Sequence, residues 1–358
     1  MRVLIAWAND SSVNLGVRAL ARGSEDLVRS VWPDAEFTYL NYGRRQPEVP
    51  WTPRALVRER VTGHLGMQRW LSGFDLVWDT RSGDSFADIY GLTRHTTMSL
   101  LHEFATQAGV PSVMAPQTIG PFHTRRGRAL ARRNLRRSSL VFARDIVSAT
   151  ASAELGRPVA AVTSDLVFGI DQPTPSTVKR DVLLNVSGLL WNENPHVDAA
   201  RYREAIRRII DELLTSGRSV TIFPHVLDSQ SHDNDVPVSR DLADEYDARV
   251  DLVVPADLED ARSIIAASAL VIGARMHACL NALSTGTPAI AMAYSRKFAP
   301  LMDAVGWTRV VSITESGDWA GQVLAHAAAP DLRSGAEDAR DKGRALLEPL
   351  VAGLKQSL

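Results

Sequence analysis

The chain has 358 residues, of which 45% are hydrophobic and 23% charged, a composition typical of a soluble globular protein with substantial cores. Forty basic residues against 41 acidic ones leave a formal net charge of −1, so we predict no nucleic-acid partner. The single cysteine excludes an intrachain disulfide and a cysteine-based zinc site. The sequence shows neither a signal-peptide pattern nor a membrane-spanning apolar stretch, and we therefore expect a cytoplasmic protein.

The first predicted elements are a buried strand over residues 3–8, a polar loop over 9–16 and an amphipathic helix. The loop has no Gly-x-Gly-x-x-Gly spacing, so a dinucleotide site is not indicated. The next clear strand covers 74–78, and small and acidic residues follow it, among them Asp84, Ser85 and Asp88. They are candidates for contacting a sugar or another polar ligand, and helix capping is the alternative.

Seven arginines lie within thirteen residues of a predicted helix over 125–137. One interpretation is an anionic surface or ligand nearby, and the other is a simple solvated face. The helix follows a strand over 112–115 and a turn over 116–122, which contains Gln117. Strands over 140–143 and 159–162 complete the first half of the chain.

Residues 171–180 are rich in proline and polar side chains and are interpreted as a linker. Strands and helices alternate again after it, which predicts an α/β protein of two doubly wound Rossmann-like domains facing one another. We assign the first domain to 1–170 and the second to 181–330. The last helix, within 331–358, is expected to brace the N-terminal domain.

The stretch 270–298 is the most informative one, because it reads as strand, turn, helix and strand. Arg275 and His277 occupy the turn at the carboxyl end of the first strand, and Ser295 and Lys297 follow the second. Unpaired helical N–H groups and a guanidinium at such a turn suit a small, densely anionic ligand. Alternatively, Arg275 forms a salt bridge with a neighbouring domain and His277 only begins the helix. Cys279 is expected to be a buried apolar residue.

A metal site is the competing interpretation of one polar loop. Five potential ligands crowd there, namely His225, Asp228, His232, Asp233 and Asp235. Their spacing is not diagnostic of any metal, so we predict none.

Several separated motifs resemble those of the polysaccharide pyruvyl transferase family. The strongest is Gly-Ala-Arg-Met-His-Ala at 273–278, with Ala-Leu-Ser-Thr-Gly-Thr-Pro at 282–288 and Tyr-Ser-x-Lys at 294–297. The turn at 116–122, Arg144-Asp145 with Ser148, Asp165 and Phe-Pro-His at 223–225 are similar too. The resemblance covers roughly residues 1–300.

The resemblance implies a two-domain fold of the GT-B type and transfer of the pyruvyl group of phosphoenolpyruvate onto two hydroxyls of a sugar. The product is a cyclic ketal, phosphate is released, and neither a metal nor a cofactor is needed, since phosphoenolpyruvate is a co-substrate. The C-terminal domain would bind the donor and the N-terminal domain the acceptor, a saccharide or a lipid-linked saccharide of the cell envelope.

Residue roles follow from these motifs. Arg275, Met276, His277, Ser295 and Lys297 are assigned to donor binding, and His277 is also the candidate acid because imidazole titrates near neutral pH. Asp84 is the first candidate for the base. The other two base candidates are Asp10 and His225.

The acceptor set is assigned to the N-terminal domain and consists of Asp10, Asn14, Gly83, Asp84, Ser85 and Gln117. Two departures affect it. Family members open with Asn-x-Gly-Asp, whereas Val17 follows Asn14-Leu-Gly here, and the glycine-rich run after residue 78 is reduced to 81–85.

Two alternatives are retained: a GT-B-like glycosyltransferase with a nucleotide-sugar donor, and a catalytically silent binding subunit. The arginine-rich helix adds the hypothesis of peripheral contact with an anionic membrane at its inner face.

Overall fold

The structure is a computed structural model and describes residues 1–41, 49, 51–63, 66–227, 229–230 and 233–357. The chain divides into two compact units, the first formed by residues 1–10, 20–170 and 344–358 and the second by 11–19 and 171–343. Two stretches therefore lie in a different unit from the one expected. Residues 11–19 belong to the second unit because Asn14 pairs with Val226 in an antiparallel bridge and Leu15 N–H donates to the carbonyl of His225. Residues 331–343 also belong to it.

Within its described residues, the first unit contains a parallel six-stranded sheet of order β2-β1-β3-β4-β5-β6. Its strands are β1 Arg2–Ala6, β2 Glu36–Leu40, β3 Leu76–Asp79, β4 Ser112–Gln117, β5 Leu140–Ala143 and β6 Ala161–Val162. All residues of β3 and β4 are buried, including the polar Asp79, Ser112 and Gln117, because helices cover both faces of such sheets.

The second unit, in the part of it that the structure describes, has a parallel sheet of order β12-β11-β10-β7-β8-β9. Its strands are β7 Arg180–Asn185, β8 Val220–Ile222, β9 Val250–Leu252, β10 Ser268–Gly273, β11 Ala289–Ala293 and β12 Val310–Ser312. Numbered within the unit, this is the Rossmann order 3-2-1-4-5-6 read from the other edge. The predicted pair of doubly wound Rossmann-like units is confirmed.

Helices connect the strands. Their bounds are α1 Leu15–Arg29, α2 Pro53–Thr62, α3 Met67–Leu71, α4 Leu92–Gln107, α5 Arg125–Arg137, α6 Ile146–Glu154, α7 Gly188–Trp191, α8 Ala199–Thr215, α9 Val236–Tyr246, α10 Leu258–Ala266, α11 Met276–Ser284, α12 Phe298–Ala304, α13 Trp319–Ala327, α14 Leu332–Ala345 and α15 Glu348–Ser357. The amphipathic α8 buries Tyr202, Ile206, Ile209, Ile210 and Leu213 in the core of the second unit.

The C-terminal region is two helices rather than the single one expected. A break at residues 346–347 separates α14 from α15. Residues 344–358 belong to the first unit, where Phe142 of β5 lies against Gly353 of α15. Searching the described helices reveals none with the length and apolarity needed to cross a membrane.

Candidate functional site

The carboxyl ends of β7 and β10 meet at the point where the strand order of the second unit reverses. The Asn185 side chain, at the end of β7, accepts a hydrogen bond from Arg275 N–H at 2.9 Å and donates one to the carbonyl of Phe223 at 3.1 Å. One buried amide thus ties together the ends of β7, β8 and β10. Ligands of doubly wound sheets bind at such reversal points, and the residues of the strongest motif lie at this one.

Arg275 is enclosed by two carboxylates of its own unit. Its Nη2 lies 2.7 Å from Asp235 Oδ1, its Nε donates to the same oxygen at 3.1 Å, and its Nη1 lies 2.6 Å from Asp233 Oδ1. Burial alone would lower the Arg275 pKa, but the two carboxylates raise it above its ordinary value. Arg275 therefore forms a salt bridge, as the alternative interpretation stated, but its partners belong to its own unit and not to a neighbouring domain. Contact of Arg275 with the donor stays a prediction.

The N-terminus of α11 presents the other donor candidates. Arg275 is its N-cap residue, and no side chain caps the helix among the described residues, so Met276 and His277 supply its first N–H groups. The next strand, β11, leads to Ser295, whose buried Oγ has no hydrogen-bond partner in the described part of the chain, and to Lys297, the N-cap of α12. A helix N-terminus next to a hydroxyl and an ammonium can hold an anion.

Gly16 lies against the His277 imidazole. A Cβ atom at Gly16 would lie 2.8 Å from both Cγ and Nδ1 of His277, closer than real Cβ contacts. The loop that begins α1 therefore packs on the candidate acid within the second unit. This contact explains why glycine stands there, a requirement that the sequence signalled only through the Asn-x-Gly resemblance.

We expect Gly16→Ala to lower turnover at least about tenfold, equivalent to about 1.4 kcal/mol of transition-state stabilisation, because it displaces His277. Alanine stabilises a helix by about 1 kcal/mol relative to glycine, so the loss of turnover would not be explained by a weaker α1. Val17→Ala, at the next position of α1, is the matched control. Steady-state kinetics checks the pair, and equal turnover in both variants would contradict the contact's importance.

His225 is fully buried beside His277, and its tautomer follows from its neighbours. Arg262 Nη1 donates to Asn281 Oδ1 at 3.0 Å, and because guanidinium only donates, this fixes the amide orientation. Asn281 Nδ2 then donates to His225 Nε2 at 3.2 Å and to the carbonyl of His277 at 2.8 Å. The proton of neutral His225 is therefore on Nδ1, which has no partner among the described residues. In this tautomer His225 is a hydrogen-bond donor, and its role as a base stays a prediction.

Burial, with the nearby His277 and Arg275, lowers the pKa of His225 to about 3 from its ordinary 6.5. Between these pH values the unfolded chain binds one more proton at this site, so acid favours unfolding, by up to about 1.4 kcal/mol per pH unit. We expect His225→Gln to reduce the pH dependence of the urea midpoint between about pH 4 and 7. The exposed His123→Gln variant is the control, and an unchanged slope in His225→Gln would contradict the assignment.

The predicted acceptor residues Gly83, Asp84 and Ser85 form a turn after β3 in the first unit. Gly83 has a φ of +84°, which suits glycine, and a Cβ there would lie 3.2 Å from Nη1 of Arg144. Asp84 Oδ2 accepts a hydrogen bond from the Tyr90 hydroxyl at 2.8 Å. The Ser85 hydroxyl accepts one from Arg94 at 2.9 Å. Asp84 is the C-cap residue of the short 3₁₀ helix Arg81–Gly83. The next helix, α4, has Gly91 as its N-cap residue, so Asp84 and Ser85 do not occupy that position.

Asp88 has the capping role instead. Its Oδ1 accepts from His123 N–H at 2.8 Å, and its Oδ2 accepts from Thr124 N–H at 2.8 Å and from the Thr124 hydroxyl at 2.7 Å, just before α5. Burial raises the Asp88 pKa, but these hydrogen bonds outweigh it and hold the pKa below the ordinary value. Asp88 is therefore a structural residue of the loop.

The remaining predicted acceptor residues are dispersed. Asp10 is exposed at the end of β1 in the first unit, and Gln117 is fully buried, with Nε2 donating to the carbonyl of Asp79 at 3.3 Å. Asn14 lies in the second unit, where its Oδ1 accepts from Gly16 N–H at 2.9 Å. Asn14 is thus placed beside the His277 site, contrary to the assignment of this residue to the N-terminal domain.

Two family motifs hold the first unit together. Arg144 is fully buried, pairs with Asp165 at 2.5 Å and donates to the Thr118 hydroxyl at 3.0 Å. Asp145 caps α6 by accepting from Ser148 N–H at 2.6 Å, and the Ser148 hydroxyl accepts from Ile119 N–H. These residues fix the loops at the carboxyl edge of the sheet.

Asn185 and Asn281 were not predicted as site residues from the sequence alone, and Asp235 was considered only as a potential metal ligand. Asp235 is fully buried and accepts from the backbone N–H groups of Gly188, His225 and Val226 as well as from Arg275. The sequence signal that could have identified the two asparagines is a polar residue within an otherwise apolar run, which is seen at Asn185 and at Asn281.

No group of three or more His, Cys, Asp or Glu side chains in the described ranges is arranged to hold a metal ion. Two members of the alternative metal set, Asp228 and His232, lie outside those ranges. Cys279 is buried, as expected.

Comparisons with known proteins identify the family and the class of fold. A family model described as polysaccharide pyruvyl transferase matches residues 14–296. No curated protein matches the sequence.

The solved structures that are similar share the fold at low identity. UDP-GlcNAc 2-epimerase from Neisseria meningitidis, bound to UDP-GlcNAc, has a TM-score of 0.60 at 12% identity over 99% of this chain and 100% of its own. The MnaA–UDP structure from S. aureus has a TM-score of 0.60 at 15% identity and covers 99% of this chain and 96% of its own. Sucrose-phosphate synthase from Thermosynechococcus elongatus has a TM-score of 0.50 at 11% identity and covers 99% of this chain and 98% of its own. These likenesses confirm the GT-B class of fold.

Proposed function

Because the chain belongs to the polysaccharide pyruvyl transferase family, we propose that it transfers the pyruvyl group of phosphoenolpyruvate to two hydroxyls of a saccharide. The product is a cyclic ketal, and phosphate is released. The acceptor class is a saccharide or a lipid-linked saccharide of the cell envelope. The observation that carries the proposal is the placement of His277 at the uncapped N-terminus of α11, packed on Gly16 and next to the buried His225.

Phosphoenolpyruvate carries a carboxylate and a phosphate, and the second unit offers groups for both. The N–H groups of Met276 and His277, the unpartnered Ser295 hydroxyl and the Lys297 ammonium are the proposed donor contacts. Asp233 and Asp235 already offset the charge of Arg275. Arg275 is therefore proposed to hold the turn rigid. It would contact the donor only after its salt bridge with the partly exposed Asp233 has opened.

The reaction forms two new C–O bonds at one carbon, the first by addition and the second by displacement. The first sugar hydroxyl adds across the double bond, so its oxygen binds the phosphate-bearing carbon and the methylene carbon gains a proton. The second hydroxyl then displaces phosphate, which leaves with the electrons of its C–O bond. His277 is proposed to deliver the proton to the methylene carbon or to the departing phosphate. His225 Nδ1–H is proposed to donate a hydrogen bond in the same site.

The hydroxyl that attacks must lose its proton to a base. His225 is unsuitable because Asn281 occupies its Nε2 lone pair and its pKa of about 3 makes it a weak base. Asp84 remains the proposed base, with Asp10 second. Asp84→Asn should therefore abolish ketal formation while phosphoenolpyruvate binding persists.

Calorimetric titration of the intact protein with phosphoenolpyruvate, and separately with nucleotide sugars, tests the proposal. Binding of phosphoenolpyruvate, followed by acceptor-dependent phosphate release, is the expected result. The competing candidate is a glycosyltransferase, because structures of the same fold bind UDP or UDP-GlcNAc. Binding of a nucleotide sugar alone would establish that candidate. Binding of neither ligand class would favour a silent binding subunit.

A further inference from the structure

Four large apolar side chains are exposed at the carboxyl edge of the first unit's sheet. Ile89 and Tyr90 follow β3 and are 48% and 47% exposed, and Ile146 and Val147 follow β5 and are 67% and 52% exposed. Single exposed apolar residues are ordinary on protein surfaces, whereas adjacent pairs on neighbouring loops suggest an interaction site. We call these four residues, together with Arg125 and Arg126, the apolar–basic surface.

Hydrogen bonds join the loops that carry this surface. Gly120 N–H donates to the carbonyl of Phe86 at 2.8 Å, and Asp88, next to Ile89, accepts from the two backbone N–H groups that precede α5. Ile119 N–H donates to the hydroxyl of Ser148, next to Val147. The loops that carry the exposed side chains are therefore fixed to one another.

The charge on this surface is positive. Arg125 and Arg126 are the first two residues of α5; both are exposed, and neither has an ion-pair partner among the described residues. By contrast, Arg133 and Arg137 further along the helix pair with Glu103 at 2.7 and 3.0 Å. The two ends of α5 therefore differ. Arg133 and Arg137 are paired within the protein, whereas Arg125 and Arg126 at the N-terminal end can contact an anionic partner.

The acidic side chains near the surface are hydrogen-bonded within the protein. Asp88 and Asp145 are buried and accept backbone N–H groups. Asp84 accepts the hydroxyl of Tyr90. Exposed apolar side chains beside unpaired arginines are complementary to a bilayer surface, where apolar groups enter the headgroup layer and guanidinium groups meet anionic lipids.

We propose that the apolar–basic surface docks this unit onto an anionic lipid bilayer. The inference goes beyond the proposed transferase activity, because lipid binding requires neither phosphoenolpyruvate nor an acceptor. It also bears on the predicted acceptor turn at 83–85, which ends four residues before Ile89. Docking would bring the turn to the surface at which lipid-linked saccharides are found.

Flotation with vesicles of phosphatidylcholine, with and without phosphatidylglycerol, tests the proposal on the full chain. The wild type should bind the anionic vesicles, and added salt should weaken the binding because it screens the arginines. Ile146→Ser/Val147→Ser and, separately, Arg125→Gln/Arg126→Gln should each lower the partition coefficient about tenfold or more. Thermal unfolding midpoints of both variants should match the wild type.

Helix α2 supplies matched controls in the same unit. Val57 and Val61 are 64% and 80% exposed, and Arg54 and Arg58 are exposed beside them. If docking is specific to the apolar–basic surface, Val57→Ser/Val61→Ser and Arg54→Gln/Arg58→Gln leave vesicle binding unchanged, because α2 has the same side-chain chemistry but lies outside that surface. The proposal is overturned if the wild type does not bind anionic vesicles, or if the α2 variants lose as much binding as the variants of the apolar–basic surface. Phosphate release with a water-soluble acceptor, measured separately, reports on the transferase proposal alone.

Discussion

Replacing His277 with glutamine should lower turnover by about 10²–10⁴, the usual contribution of an acid–base group. Glutamine keeps a polar side chain at the start of α11 but cannot deliver a proton near neutral pH. The Michaelis constant for phosphoenolpyruvate should change only a few-fold, because the helix N–H groups and Ser295 remain. Steady-state phosphate release with a saccharide acceptor measures both quantities.

His326→Gln is the control for that substitution, since His326 is a partly buried histidine of α13 in the same unit. It should retain wild-type turnover. Unchanged turnover in the His277 variant would remove this residue from the chemistry, whereas a loss confined to the Michaelis constant would make it a donor-binding residue only.

The Arg275→Ala variant is expected to lose about 3–5 kcal/mol of stability as well as phosphoenolpyruvate binding, because it leaves the fully buried Asp235 without its charged partner. Urea unfolding and calorimetric titration measure the two losses. Arg309→Ala is the control, because the side chain of its partner Asp331 is 64% exposed and the pair should contribute at most about 1 kcal/mol. A stable Arg275→Ala protein with normal phosphoenolpyruvate affinity would contradict both expectations.

A second substitution separates the two roles of Arg275. Asp233→Asn removes the more exposed of its carboxylate partners, whose side chain is 39% exposed, and keeps the buried pair with Asp235. If Arg275 contacts the donor, phosphoenolpyruvate should bind more tightly to this variant. Unchanged affinity would assign Arg275 to positioning alone.

Two elements were predicted with their correct bounds. The helix over 125–137 and the strand over 140–143 agree with the structure at both ends. Seven elements of the described structure were not predicted, because β2 is only partly buried and the others are short or have weak patterns. They are β2, α2, α3, α7, α12, α13 and β12. The last helix was predicted as one because its apolar spacing continues through the break at 346–347.

The sequence by itself determined the fold class, the family and the strand–turn–helix that carries His277, because each depends on residues close together in the chain. Only the tertiary structure decided how those residues are used. Asp233 and Asp235 lie about forty positions before Arg275, and Gly16 lies still further from His277, yet they are in contact. Local pattern cannot specify such pairs, because strand order and loop packing decide which distant side chains meet.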